Sequence, residues 1–539
     1  MAYRVTDIKV EVDRDTADLS VKVAARLAVP IAEIKSLRVV KKALDAREKS
    51  RGKLYFVYTV DLELSDKGIK MIARKKIPGL TLREPEPDIQ PVVGNKLLLN
   101  RPVIVGAGPA GLFAALTLAR SGYCPIVFER GQDVDSRTAD VQEFWLKRLL
   151  KTESNVQFGE GGAGTFSDGK LTTRINDYRV RQVLEDFVIA GAPQEILYLH
   201  KPHIGTDRLK AVVKNLRLIL QDLGADVYFG ARVTGLQTEN DRVTGVVVNG
   251  EQEVPAGIVI LAIGHSARDT YEMLNESGCL IEQKAFSVGV RIEHPQSVID
   301  NAQFGEFASH PNLGAADYQL AYKNDDMQRA AYTFCMCPGG TVVAAASESE
   351  TVVTNGMSDF ARDTGVANSA MVVSVNPDDF TSSQPLAGIE FQRHWERAAY
   401  RAGGKNYNAP GQLVGDFLAG RASTGLDEAP WASYRPGLEP ADMHDCLPGY
   451  VTTMLREAIG AFDRKLKGFA LPEAVLTGVE TRTSAPVRLV RDNNRESQGL
   501  EGLYPAGEGA GYAGGIVSAA VDGIRVAETV IGRYRKGEY

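Results

Sequence analysis

Residues 101–131 read RPVIVGAGPAGLFAALTLARSGYCPIVFERG, and the rest of the chain is organised around them. Val103–Val105 predicts a buried strand running straight into Gly106-Ala107-Gly108-Pro109-Ala110-Gly111. A helix is predicted from about Pro109 to Ser121, ended by Gly122 where a C-cap glycine belongs. A second strand, Ile126–Phe128, ends on Glu129. A bare G-x-G-x-x-G string is weak evidence in a chain with 53 glycines, and a structural βαβ unit with incidental glycines is the alternative. The context favours a dinucleotide. Gly106 permits the tight turn, Gly108 lets a pyrophosphate approach the backbone, and Gly111 allows close helix–strand packing. The helix start offers free N–H groups and a positive dipole end to phosphates. Glu129, placed after the second strand, can accept from both ribose hydroxyls of an adenosine, and its charge disfavours a 2′-phosphate.

Two further glycine clusters follow. FGEGGAGTFSDGKLTTR (158–174) lacks the order of a P-loop, because Leu171 follows its lysine. YPAGEGAGYAGGIVSAAVDG (504–523) sets Glu508 after a short strand and a helix after Gly514-Gly515. Together with Arg130-Gly131 and VILAIGHSARD (259–269), these segments resemble flavoproteins of the glutathione-reductase type. The resemblance implies FAD. It implies that the acid at 508 binds the ribityl chain and that the following helix points its start at the flavin N1/C2 edge, where a dipole stabilises the reduced form. The usual acid there is Asp, so Glu508 departs from the pattern. At the cofactor the resemblance places Gly106, Gly108, Pro109, Ala110, Gly111, Glu129, Arg130 and Gly131 of the first cluster. It adds Gly162, Ala163, Thr165 and Lys170 of the second, then Val233, Gly264 and His265, and finally Gly507, Glu508, Gly514, Gly515 and Ile516.

Over the full length, with GEGGAGTFSDGKL, AIGHSARD, TFCMCPGG, VETRTSAPVRL and YPAGEGAGYAGGI in place, the chain resembles a group of bacterial FAD-dependent dehydrogenases, sometimes labelled NAD(FAD)-utilising. That resemblance fixes the cofactor and leaves the substrate open. After residue 174 no G-x-G-x-x-G unit stands apart from the 504–523 cluster, so electrons are expected from an external reductant such as NADH, from the substrate or from another protein.

The 539 residues exceed one core. The expected class is α/β: a glutathione-reductase-type, Rossmann-like FAD domain with an inserted α+β substrate domain and an N-terminal plait-like (ferredoxin-like) domain. The boundaries expected are 1–95 for the plait, 99–280 for the first part of the FAD domain, 281–468 for the insert and 469–539 for the completion. Charge supports the first division. Residues 1–100 carry 20 Lys and Arg against 14 Asp and Glu, whereas the remainder is acidic. Prolines at 85, 87 and 91 suggest a linker over 80–93. The insert reads as strands, long polar loops and one clear helix near Glu390–Ala402. No run of about 18 apolar residues predicts a membrane span, and five cysteines without framework spacing point to a cytoplasmic setting.

For the chemistry, Cys335 and Cys337 are the sharpest candidates. Two residues apart on a strand, they are expected to share a face and line one pocket; two small buried hydrophobes are the alternative. Arg482 and Arg488 are read either as anchors for an anionic substrate or as surface salt bridges. His294 and His394 are read as structural, and no metal spacing is present. Three functions compete. The first is an FAD-dependent oxidoreductase passing a hydride between flavin and a small organic substrate. The second is an RNA-modifying flavoprotein, suggested by Lys35, Arg38, Lys41, Lys42, Arg47, Lys49, Arg51 and Lys53, although nucleic acid is a poorer expectation than a solvated basic face. The third is a non-catalytic FAD-binding assembly protein.

Overall fold

The structure, a computed structural model, describes residues 2–14, 18–48, 52–83 and 92–538. Its N-terminal sheet has the strand order Ile34–Asp45, Tyr55–Leu64, Ala2–Glu11, Leu80–Leu82, every pair antiparallel. With helices Leu19–Leu27 and Asp66–Ile72 this is the order of a split-βαβ plait. Alternate residues Val5, Phe56, Tyr58, Val60 and Leu62 face inward against Leu19, Val23 and Leu27. Leu80–Leu82, expected as the start of a linker, is the fourth strand instead, and the prolines at 85, 87 and 91 lie outside the described residues.

The edge strand Ile34–Asp45 docks on the body of the protein. Lys42 N donates to Tyr198 O at 2.8 Å, and His200 N returns a bond to Lys42 O at 2.9 Å. Arg38 pairs with Asp61 at 3.4 Å and Arg47 with Asp45 at 2.7 Å, while Lys42 lies 4.0 Å above the Phe56 ring. Two cations of the basic stretch are thus paired with carboxylates and a third lies over a ring; its Lys49 and Arg51 lie outside the described residues.

Five parallel strands form the next sheet in the order Leu503–Pro505, Val259–Leu261, Val103–Val105, Ile126–Phe128, Asp226–Tyr228. Ile104 and Ile260 point to one face, where helices Pro109–Arg120, Arg179–Ile189, Thr206–Asp222 and Ile516–Arg533 bury Phe113, Phe187, Leu216 and Val521. Val103, Val105, Val259 and Leu261 point to the other, covered by the antiparallel strands Val233–Glu239, Arg242–Val248 and Gln252–Pro255. The two-residue period of each short strand divides the core in this way.

A seven-stranded sheet follows in the order Ala321–Asn324, Arg329–Cys337, Val366–Val375, Phe286–Pro295, Val475–Glu480, Ala409–Leu413, Leu438–Pro440. Val475–Glu480, expected with the returning C-terminal segment, instead pairs with Phe286–Pro295 and Ala409–Leu413 inside this sheet. The region also holds more helix than expected: Gln296–Phe304, Ala387–Ala402, Val414–Ala419 and Gly449–Lys465. The last of these buries Val451, Met454, Leu455, Ala458, Ile459 and Phe462, a helical period along one face.

Candidate functional site

Three adjacent parallel strands end on glycine-bearing turns: Val103–Val105 before Gly106, Val259–Leu261 before Gly264, and Leu503–Pro505 before Gly507. The crevice beyond such carboxyl ends is where ligands bind in open parallel sheets. The glycines here divide into two sets. A Cβ on Gly106 would stand 2.4 Å from Ala262 O, and one on Gly111 would stand 1.9 Å from Gly106 O. One on Gly507 would meet Ala110 Cβ at 2.6 Å. These positions serve packing; Gly106 and Gly507 also hold φ of 103° and 73°. By contrast, Gly264, Gly514 and Gly515 face open space, and Gly108 meets only the Gly162 Cα at 3.8 Å. Pro109 starts the first-motif helix, and Ile516 starts the last one, packed close to Gly164.

Glu129 is buried and receives three amides: Ala107 N at 2.8 Å on one oxygen, Gly131 N and Gly159 N at 2.9 Å on the other. The loop that carries Gly159 is itself stapled. Fully buried Arg137, on a helix Val134–Lys147 missed in the sequence, donates to the carbonyls of Asn155, Val156 and Glu160 at 2.7–2.9 Å. Burial lowers the Arg137 pKa to about 10, so it stays charged at neutral pH. Glu160 accepts from Val134 N and from Arg217 Nε. Thr165, expected at the cofactor, turns its hydroxyl back to Glu160 O at 3.0 Å. Arg130 lays its fork on Glu153 and Asp269. Val233 buries its side chain beside Phe128 and Val248, leaving only its main chain for any ligand. Ala163 lies within the short 3-10 turn Gly162–Phe166.

At the opposite end of the crevice, burial pushes the Glu508 carboxyl up to about 7, against the pull of Lys284 and a hydrogen bond from the Gly515 backbone. The turn before it is fixed by Asp522, which accepts from Gly507 N at 2.8 Å and holds Arg491 at 2.7 and 2.9 Å. His265 bonds Ser266 Oγ through Nδ1 at 2.9 Å. Burial first, then the charges of Arg482 and Arg268, hold its pKa down to about 3, so the ring is neutral.

Two expectations for the chemistry are corrected. Arg482 is neither a surface ion pair nor a free anchor: it is buried, forks onto Glu396, and donates to Ser266 Oγ and Ser347 Oγ. Cys335 and Cys337 do not share a face. Opposite Ala370 and Asn368, the pairing slips between Phe334 and Cys337, and the extra residue of this bulge turns Cys335 outward with φ 42°. Cys335 is exposed and Cys337 buried. Arg488 is exposed, 5.4 Å from the Tyr512 ring. His294 is buried with Nε2 on Phe469 O at 2.8 Å, and His394 is exposed beside Trp395. Among the described residues no group of His, Cys, Asp or Glu is arranged to hold a metal ion, and no helix is long and apolar enough to cross a membrane.

Residues 285–483 match a family model described as FAD-dependent protein, C-terminal domain-like, and residues 104–153 one described as NAD(P)-binding Rossmann-like domain. Residues 2–63 match a domain of unknown function. Over 534 residues the chain is 51% identical to an uncharacterised protein of Clostridium beijerinckii, covering 99% of each. The chain belongs to that protein's family. The family is FAD-dependent. The chain is also 34% identical over 170 residues to a digeranylgeranylglycerophospholipid reductase of Haloferax volcanii, 31% of this chain and 35% of that one. A geranylgeranyl bacteriochlorophyll reductase-like protein of Thermoplasma acidophilum superposes with a TM-score of 0.33 at 14% identity, over 80% of this chain and 77% of that one.

The residues present fit FAD. A cradle that a Cβ would fill lies along Gly108, Gly264, Gly514 and Gly515, and Glu129 is oriented by amides at one end while Glu508 stands at the other.

Proposed function

We propose that the protein is an FAD-dependent oxidoreductase that passes a hydride between flavin and a small organic substrate, on a glutathione-reductase-type architecture. The open row of glycines at the carboxyl ends of three adjacent parallel strands carries this reading. Bound FAD supplies the hydride chemistry at its flavin ring. The chain's own residues bind and orient. Glu129 takes the adenosine ribose, Gly108 admits the pyrophosphate, and Glu508 with the start of helix Ile516–Arg533 faces the ribityl and N1 side. Neutral His265 can accept or donate a hydrogen bond there without bringing a charge.

The proposed layout keeps a plait over 1–95, an FAD domain over 99–280, an inserted substrate domain from 281, and a completing C-terminal segment. Membership of Val475–Glu480 in the seven-stranded sheet supports ending the insert after Glu480 rather than at 468. Five free cysteines support a cytoplasmic setting. The test is anaerobic mixing of the FAD-loaded protein with NADH and with a panel of small metabolites, following loss of oxidised-flavin absorbance. Reduction by one donor class with turnover supports the reading; a flavin inert to every donor sinks it.

A further inference from the structure

We propose that His265 is locked with its imidazole proton on Nδ1, leaving Nε2 as a bare hydrogen-bond acceptor for a hydroxyl or N–H group in the crevice. The inference rests on the oxidoreductase reading above and narrows which groups the site would take at this point. His265 follows Gly264, one of the glycines that face open space, beyond strand Val259–Leu261. Tyr271 Oη reaches Gly264 O at 3.1 Å and Gly509 O at 2.7 Å, tying this turn to the one that carries Glu508.

The proton is placed by counting donors around Ser266, whose hydroxyl has one proton to give and two lone pairs to fill. Arg482 Nη1 fills one lone pair at 3.0 Å. That donor is held in place: Arg482 spends Nε and Nη2 on Glu396, and its Nη1 also reaches Ser347 Oγ at 2.6 Å. Gln157 Oε1 lies 3.1 Å from Ser266 Oγ and can only accept, so it draws the Ser266 proton. The Gln157 amide is fixed in this sense, because its Nε2 donates to the Ala345 carbonyl at 3.2 Å. Gln157 is buried, and among the described residues Ser266 is the one donor to that oxygen. Were the Ser266 proton aimed at His265 instead, Gln157 Oε1 would be an orphaned buried acceptor. The remaining lone pair of Ser266 Oγ faces His265 Nδ1 at 2.9 Å, so Nδ1 carries the proton.

Nε2 has no partner among the described residues, and the half-buried ring leaves it in contact with solvent. Burial and the guanidinium behind Ser266 both oppose a second proton, so the ring stays neutral. It therefore orients a donor without taking the proton away. A carbonyl, carboxylate or phosphate oxygen facing Nε2 would set lone pair against lone pair. The group that fits is a hydroxyl or an N–H, whether it belongs to the substrate or to the cofactor.

The test uses NMR of the FAD-loaded protein with histidine carrying nitrogen-15 at Nδ1 or at Nε2, the His265 signal being identified by its loss in His265→Asn. At neutral pH the proton is expected on Nδ1 over Nε2 by at least about tenfold, equivalent to about 1.4 kcal/mol. Gln157→Met frees the Ser266 proton to turn to Nδ1, and Ser266→Ala removes the oxygen altogether; in both the preference should be lost or reversed. Isopropanol and acetone, a hydroxyl and a carbonyl on the same carbon skeleton, are then titrated against the flavin spectrum. Isopropanol is expected to bind about tenfold more tightly than acetone in the wild type and about equally in Gln157→Met. If the donor is instead a hydroxyl of FAD, neither solvent should be preferred and both variants should weaken FAD retention about tenfold. A proton on Nε2, a tautomer indifferent to both variants, or a Nδ1 proton with solvent preference and FAD retention alike unmoved overturns the inference. The expected tautomer and preference beside a flavin that every reductant leaves oxidised would instead sink the oxidoreductase reading and leave the acceptor standing.

Discussion

Arg482 lays its guanidinium fork on both oxygens of Glu396, at 3.1 and 3.0 Å, and Arg268 grips the same carboxylate at 2.9 and 2.7 Å. One fully buried acid on helix Ala387–Ala402 therefore holds two buried cations, Arg268 at the start of helix Arg268–Glu276 and Arg482 just beyond strand Val475–Glu480. Burial opposes every charge in the group, and the two arginines more than reverse it for Glu396, whose carboxyl lies well below its ordinary range. Replacing Glu396 with Gln should leave Arg482 without its carboxylate and Arg268 with Glu348 alone, and cost about 3–5 kcal/mol in urea unfolding. A loss below about 1 kcal/mol would show that the triad is not the clamp between these elements.

The two glycine sets predict opposite phenotypes. Gly108→Val projects into open space, so the apoprotein should keep its unfolding midpoint while FAD affinity falls at least about tenfold, or about 1.4 kcal/mol. Gly111→Ala sets a methyl 1.9 Å from Gly106 O and should destabilise the fold itself by about 3 kcal/mol or more. Stoichiometric FAD in Gly108→Val would remove the proposed pyrophosphate path.

Arg137→Met should strip three buried carbonyls of their donor, costing about 3 kcal/mol or more. Arg137→Lys restores one donor and should recover part of the loss. Because the stapled loop presents Gly159 N to Glu129, FAD affinity should follow the same order; equal affinity in all three proteins would uncouple the loop from the ligand.

His265 titrates in the unfolded chain near 6.5 but in the fold only near 3. The unfolded state thus binds a proton that the folded state refuses, so this residue supports stability above about pH 6.5 and the support is lost as pH falls towards 3. Between pH 7 and 5 the wild type should lose about 2 kcal/mol relative to His265→Asn, read from urea midpoints at each pH. Glu508 titrates in the opposite sense, since its raised pKa lets the fold keep a proton between about 4.5 and 7. Comparing the two proteins at each pH cancels that contribution. Parallel pH profiles would mean that His265 is not desolvated in solution.

Much of the first motif was legible because each residue type has a local reason to be there. The strand, the turn glycines, the helix from Pro109 and the glycine after it all answer to short-range geometry. What escaped depended on partners far along the chain. Arg482 reads as a surface or ligand-facing cation until Glu396 is brought to it in space. The alternation rule placed Cys335 and Cys337 together because it presumes no extra residue, and the bulge is imposed by the neighbouring strand and by Arg291. Helix Gly449–Lys465 carried a readable signal in Val451, Leu455, Ile459 and Phe462, obscured by the glycines at 449 and 460. Arg137 and Asp522 look like ordinary helix-surface charges, and only their burial reveals them as props of the two turns.

The edge strand Ile34–Asp45 would, on its own, offer a ladder of unpaired amides and carbonyls to any passing chain. Lys42 gives its main-chain groups to Tyr198 and His200 instead, so the body of the protein occupies the middle of that ladder. The plait is thereby guarded against sticking to its own kind, and a fragment released from the remainder should lose that guard and self-associate as its concentration rises.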